Sequence, residues 1–143
     1  MTERAPASTS SLIVVADDNR DTREMYGLYL TMLGYRVAIA ADGREAVRKA
    51  RALNPDLIVM DLDMPDVDGW SAIMQLQSDT HTASIPVVVV TGHDARAYLK
   101  AAAIGAGATS YLMKPCFPEQ LEREVSARLA VRRARSASAP SSS

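Results

Sequence analysis

The sequence predicts an α/β fold of the (βα)5 type, a doubly wound parallel five-stranded sheet, and three observations predict it. Five short runs of branched or apolar residues recur at 12–16, 36–40, 56–60, 87–90 and 110–113, each close to turn signals. Their apolarity is mostly continuous rather than alternating, which suits strands covered on both faces. The intervening segments carry helical spacing, and strands alternating with helices lead to a parallel sheet.

The elements follow in order. The first strand, 12–16, runs straight into Asp17-Asp18. In the segment behind it, Met25, Leu28, Tyr29, Met32 and Leu33 fall at i, i+3, i+4, i+7 and i+8, the pattern of one buried helical stripe. Gly34 stands where a left-handed residue would end that helix. After the strand at 36–40, Asp42 and Glu45 make a capping-box pattern for a second helix running to about Leu53. The strand at 56–60 closes on Asp61, and Trp70, Ile73, Met74 and Gln77 mark a third helix, with Gln77 at its wet margin. The strand at 87–90 closes on Thr91, and an alanine-rich, weakly amphipathic fourth helix is expected over about 94–104. The last strand, 110–113, leads to Lys114-Pro115. Pro118 suits the first turn of a fifth helix, whose Leu121, Val125 and Leu129 lie one turn apart.

Composition bounds the function classes. A chain of 143 residues with 48% hydrophobic residues suits one domain with one core, expected over 12–131. Residues 1–11 and 132–143 are expected as flexible tails, the second basic and serine-rich. There is no internal repeat. A net charge of −1 gives no general reason to expect nucleic acid or an anionic membrane as partner. The one cysteine, Cys116, excludes an internal disulfide and fits a reducing compartment; its expected role is that of a small hydrophobe. No apolar run is long enough to cross a bilayer, and the N-terminal stretch is unlike a signal peptide, so the expected location is cytoplasmic.

The chemistry lies at the strand ends. Open α/β sheets bind ligands beyond the carboxyl ends of their strands. Asp17, Asp18, Asp61, Thr91 and Lys114 all follow or close apolar runs, and together they suit a divalent cation and a phosphoryl group. Phosphoryl transfer needs an in-line nucleophile and neutralised equatorial oxygens. Asp61 is the natural nucleophile, able to form an acyl phosphate. Asp17 and Asp18 are candidates to hold Mg²⁺, a hard ion that takes carboxylates and water, and Lys114 supplies a point charge. Bland readings compete. Asp17-Asp18 would serve as a helix N-cap, Asp61 as a strand-end cap, Thr91 as an ordinary strand residue and Lys114-Pro115 as a turn before a helix.

Five motifs in order then carry a resemblance: ADDN at 16–19, MDLDMPDVDGW at 60–70, VVVVTGH at 87–93, GATSYLMKP at 107–115 and PEQL at 118–121. The chain resembles a receiver domain of bacterial two-component response regulators, over residues 12 to 131. The resemblance implies the flavodoxin-like strand order 2-1-3-4-5. It implies Asp61 as phosphoacceptor, with Mg²⁺ held directly by Asp18 and Asp61, by Asp17 largely through water, and by the backbone carbonyl of Asp63. It also implies a cis peptide at Lys114-Pro115 that aims the lysine inward. Thr91 and Tyr111 would form the switch, Gly92 would leave room for the phosphate, and Asp63 and His93 would modulate loss of the phosphoryl group to water. For Asp63 and His93 a surface-loop reading stands equally.

Signalling by phosphorylation must bias a two-state element. The resemblance implies output through the face of the fourth helix, fifth strand and fifth helix. Implied partners are a histidine kinase or histidine phosphotransfer protein and a downstream protein target, with no nucleic acid and no membrane. GATSY lacks the acidic residues that transcription-factor receivers carry for dimer salt bridges, so a monomer or weak dimer is expected. The initiating Met and polar tails favour a stand-alone response regulator over an excised piece. Arg132, Arg133 and Arg135 suit a helix C-terminus, and His81, in a polar loop, is no candidate acceptor.

The chain is not expected to be an enzyme on outside substrates. The alternative is a phosphatase similar to haloacid dehalogenases, with Asp61 as nucleophile and Asp63 as general acid/base. It would place the nucleophile on the third strand rather than the first, and it leaves Asp17-Asp18 unexplained. A third reading is a non-phosphorylated receiver acting as a binding module.

Overall fold

A computed structural model describes residues 11–62, 69–92 and 97–138. Ten elements alternate along the chain: β1 (Leu12–Ala16), α1 (Arg20–Met32), β2 (Arg36–Ala40), α2 (Gly43–Leu53), β3 (Leu57–Met60), α3 (Gly69–Ser78), β4 (Val87–Thr91), α4 (Ala97–Ala106), β5 (Ser110–Met113) and α5 (Pro118–Ser138). The five strands form one parallel sheet in the order β2-β1-β3-β4-β5. The expected architecture and strand order are observed.

Strand residues divide between two cores by alternation. Ile13, Val15, Leu57, Val59, Val88 and Val90 face α1 and α5, where they meet Tyr26, Leu30, Leu121, Val125 and Leu129. Val14, Ala16, Ile58, Met60, Val87 and Val89 face Ala46, Val47 and Ala50 of α2, Ala72, Ile73 and Leu76 of α3, and Ala103 of α4. Burial on both faces is why these strands read as unbroken apolar runs.

Local signals act as their chemistry dictates. Asp42 caps α2 by accepting from the Glu45 amide at 2.8 Å. Glu45 reaches back to the Ala41 amide at 2.6 Å, one residue earlier than in the usual reciprocal box. At the end of α1, Gly34 takes φ 102°, its amide bonds to Thr31 O, and the Tyr35 amide bonds to Leu30 O, a Schellman closure. Gly107, at φ 124°, ends α4 in the same way, with Ala108 N on Ala103 O.

Several expectations are corrected. On α1 the stripe expected at Met25, Leu28, Tyr29, Met32 and Leu33 is not the buried face. Tyr26, Gly27 and Leu30 are buried, whereas Met25, Leu28 and Met32 are exposed, Met32 by 73%. Two adjacent faces of an apolar-rich helix share the same spacing, so periodicity does not choose between them. The choice is made by Tyr26, whose hydroxyl crosses the core to donate to the Cys116 carbonyl at 2.8 Å. On α3, likewise, Gly69, Ala72, Ile73 and Leu76 are buried, Met74 is exposed, and Trp70 is only partly covered. Gly69 sets that rotation, because it presses on the Asp61–Leu62 backbone and its amide donates to Leu62 O at 3.2 Å.

The ends of the chain also differ from expectation. Helix α5 continues past residue 131 to Ser138, into the segment expected as a tail. Arg132 Nη1 donates to the Asp56 carbonyl at 2.6 Å and Arg133 Nη2 to Ser11 Oγ at 3.0 Å, which fastens this helix across the amino ends of β1 and β3. Ser11, expected in the mobile N-terminal segment, is buried, and its carbonyl accepts from Arg36 N.

Candidate functional site

Register builds the site. Ala16 pairs with Met60, and the next residues on those two strands are Asp17 and Asp61. Their amides continue the ladder, Asp17 N onto Ala40 O at 3.1 Å and Asp61 N onto Ala16 O at 3.0 Å. Thr91 pairs with Met113, so Lys114 emerges one residue beyond, across the same sheet end. The Lys114-Pro115 peptide is cis.

Three carboxylates and one ammonium converge there. Oxygens of Asp17, Asp18 and Asp61 lie within 4.8 Å of one another. Asp17 and Asp61 are buried and Asp18 is exposed. Lys114 Nζ is 2.8 Å from Asp17 Oδ2 and 3.4 Å from Asp61 Oδ2. Three carboxylates against one ammonium leave a formal charge of −2 in a partly dry crevice. Burial alone would lower the Lys114 pKa, but the hydrogen bonds and charges of Asp17 and Asp61 outweigh it, and the net shift is upward from 10.5. The lysine is therefore a fixed cation at neutral pH.

The capping reading of Asp17-Asp18 gives way here. Asn19 is the N-cap of α1 and accepts from the Thr22 amide at 2.9 Å. Asp17 is occupied otherwise, with Oδ1 accepting from Asn19 N at 2.9 Å and Oδ2 from Lys114. Asp18 is left at the mouth of the crevice. A donor set of one exposed and two buried carboxylates fits a hard divalent cation, which takes one or two carboxylates and keeps waters. The engaged oxygens of Asp17 suit contact through water, and Asp18 and Asp61 suit direct ligation.

Helix α1 pins both walls. Arg23 Nη1 donates to the Asp17 carbonyl at 2.8 Å, and Tyr26 holds the Cys116 carbonyl two residues after Lys114. Burial raises the pKa of the Tyr26 phenol and of the Cys116 thiol, keeping both neutral. Sequence reasoning missed Asn19, Arg23, Tyr26 and Gly69. The signal that would have found Gly69 is a glycine opening a helix a few residues after the acidic strand end.

Other expected residues are placed as follows. Tyr111 is partly buried and packs on the α2–α4 side of the sheet. Gly92 is exposed, and the space a Cβ would take there faces the Lys114 stem at 3.6 Å. The backbone of Thr91 closes β4, but its side chain lies outside the described residues, as do Asp63 and His93. Cys116 packs in the α1–α5 core as a small hydrophobe. Among the described residues, no helix is long and apolar enough to cross a membrane.

Comparison with known proteins agrees with this geometry. A family model described as the response regulator receiver domain matches residues 13–126. The response regulator MprA of Mycolicibacterium vanbaalenii is 38% identical over 109 residues, covering 76% of this chain and 46% of that protein. The signal transduction histidine-protein kinase BarA of Escherichia coli K12 is 36% identical over 109 residues, covering 76% of this chain and 12% of the kinase. The chain thus spans about half the length of a matched regulator and a small part of a matched kinase. Among solved structures, the receiver domain of the sensor histidine kinase PA1611 from Pseudomonas aeruginosa PAO1, with magnesium coordinated in its active-site cleft, superposes with a TM-score of 0.77. It is 29% identical, covering 85% of this chain and 98% of that one.

Proposed function

Because the chain belongs to the response regulator receiver domain family of two-component systems, we propose that Asp61 accepts a phosphoryl group from a histidine kinase or histidine phosphotransfer protein in a Mg²⁺-dependent reaction. The observation that carries this reading is the buried Asp61 carboxylate at the end of β3. Lys114 Nζ lies 3.4 Å from it and two further carboxylates lie within ligand distance. The β1–β3 ladder and Gly69 fix the Asp61 backbone, so its carboxylate is held for in-line attack. One Asp61 oxygen forms a bond to phosphorus as the P–N bond of the phosphohistidine breaks, and the imidazole leaves with the electron pair. Asp18 and Asp61, with Asp17 through water, would hold Mg²⁺, and the ion when bound would supply positive charge to offset that developing on the phosphoryl oxygens. Asp17 holds Lys114 over the acceptor, and the ammonium neutralises a second phosphoryl oxygen as it arrives. Thr91 would donate its hydroxyl to the product, Asp63 would offer its carbonyl to the cation, and Asp63 and His93 would set how fast water removes the group.

The readout is a protein–protein one. Phosphorylation draws Thr91 inward, and Tyr111 follows into the space between β5 and α4. This changes the α4–β5–α5 face, where Ile104 and Met113 already stand exposed. The receiver signals through that face, or relays its phosphoryl group. The phosphatase reading is disfavoured by the place of Asp61 on the third strand in chain order rather than the first, and by Asp17 and Asp18, which it leaves unexplained.

The test is incubation with Mg²⁺ and acetyl phosphate, read by intact mass. One labile phosphoryl group is expected, absent in Asp61→Asn and absent with EDTA. Labelling that survives Asp61→Asn, or multiple turnover of a generic phosphate ester, overturns the assignment.

A further inference from the structure

We propose that the cavity between the carboxyl half of α5 and the amino ends of β4 and β5 binds a nucleotide bearing two or more phosphate groups. This site lies at the opposite end of the sheet from Asp61, and the proposal does not depend on phosphorylation of that residue.

The cavity has a volume of about 500 Å³, which suits a ligand of nucleotide size. Arg128, Arg132 and Arg135, spaced i, i+4 and i+7 on α5, bring three guanidinium groups to one concave surface. Among the described residues that line it, none is acidic. The acids that meet Arg128 and Arg132 lie outside the lining: Glu124 is 3.2 Å from Arg128 Nε, and Asp56 Oδ1 is 3.8 Å from Arg132 Nη1.

Neither contact exhausts the donors. A guanidinium carries five N–H groups in a fixed fork. Arg132 commits Nη1 to the Asp56 carbonyl. Arg128 Nε is buried, and its ion contact with Glu124 misses hydrogen-bond geometry. The Arg128 side chain is 32% exposed, so its accessible part, not Nε, is what a ligand in the cavity can meet. Arginine forks match phosphate oxygens bidentately, so three of them on one wall fit a diphosphate better than a single carboxylate.

The remaining walls fit the other part of a nucleotide. Pro86 and Val131, backed by the buried Ile85, present apolar surface on which a planar base can lie. Ser84 is exposed at the rim, and Thr109 Oγ1, which accepts from Val87 N at 3.1 Å, still has its own proton to donate. Hydroxyls beside an apolar wall suit a ribose joined to a base.

Calorimetric titration of the full chain with ADP and GDP in EDTA tests the site, EDTA keeping Mg²⁺ and hence the Asp61 crevice out of the reading. Saturable binding of at least one of the two is expected, with no binding of adenosine or guanosine and weaker binding of inorganic pyrophosphate. Arg128→Gln and Ser84→Glu should each weaken it about tenfold. Ser84→Glu places a charge at an exposed rim position and leaves the core intact, so it reports even if an arginine variant folds poorly. Asp61→Asn and Arg44→Gln should bind as the parent does. No saturable binding of either nucleotide, affinity indifferent to Ser84→Glu, or pyrophosphate binding as tightly as the nucleotides overturns the proposal.

Discussion

Replacing Gly69 by alanine tests how the acceptor is held. A Cβ at this position would lie 2.3 Å from the Asp61 carbonyl oxygen, 2.6 Å from Leu62 Cα and 3.0 Å from the Asp61 carbonyl carbon. All three are backbone atoms, so no side chain can rotate away. Ordinary contact begins at 3.4 Å, so α3 and the end of β3 must part by about 1 Å (3.4 − 2.3). Overpacking of this kind costs about 1–3 kcal/mol, and immovable neighbours place Gly69→Ala at the upper end. The better helix propensity of alanine returns up to about 1 kcal/mol. The expected net loss is about 2 kcal/mol, a shift of roughly thirtyfold in the unfolding equilibrium. Urea denaturation at constant m value reads it. The same displacement moves the Asp61 carboxylate, and about 1 Å of misplacement slows positioned chemistry by roughly a hundredfold. Gly105→Ala is the control, since nothing lies within 4 Å of its Cβ position. It should stabilise α4 by about 0.5–1 kcal/mol and leave phosphorylation unchanged. Equal stability for the two variants, with normal labelling of Gly69→Ala, would refute the reasoning.

Other expectations concern charge and packing. Mg²⁺ binding to the folded state should raise the melting temperature, by about 2.7 kcal/mol of stabilisation at a hundred times Kd. Asp18→Ala, at an exposed position, should remove most of that gain, and an unchanged melting curve in the parent protein would count against the cation site. The raised pKa of Lys114 means that its contribution is complete below 10.5 and is lost as pH rises through the higher folded value. Lys114→Met should therefore be less stable than the parent at neutral pH, and the gap should narrow in strongly alkaline solution; a constant gap would show that the ion pairs contribute nothing. On α1, Leu30→Ala should cost about 2–5 kcal/mol in urea denaturation, whereas Leu28→Gln and Met32→Gln should stay within about 0.5 kcal/mol. The reverse ranking would restore the other face of that helix as the buried one.

What could be read from the sequence followed from physics that is local or repeated. The inner strands β1, β3 and β4 are buried on both faces and must be apolar throughout. The edge strands β2 and β5, only partly buried, keep enough apolar residues for all five runs to show their positions almost to the residue. The parallel register then carries Asp17, Asp61 and Lys114 to one end of the sheet, which is why residues closing apolar runs were the informative ones. Helix faces were less legible. On α1 and α3 two adjacent stripes satisfy the same spacing, and the choice rests on distant partners, the Cys116 carbonyl for Tyr26 and the Asp61–Leu62 backbone for Gly69. The arginines near the carboxyl end read as solvated charges, because their acceptors, Asp56 O and Ser11 Oγ, lie 76 and 122 residues away in the chain. The cap of α1 could not be singled out among three adjacent polar residues, any of which can cap; the capture of Asp17 by Lys114 leaves the role to Asn19.

The central claim is that the acyl phosphate forms on Asp61 and on no other acid of the crevice. Borohydride reduction after treatment with Mg²⁺ and acetyl phosphate converts a phosphorylated aspartate to homoserine, and peptide mapping then locates it. Homoserine is expected at position 61 alone. Homoserine at position 17 or 18, or none in protein that carries the phosphoryl group, would contradict it.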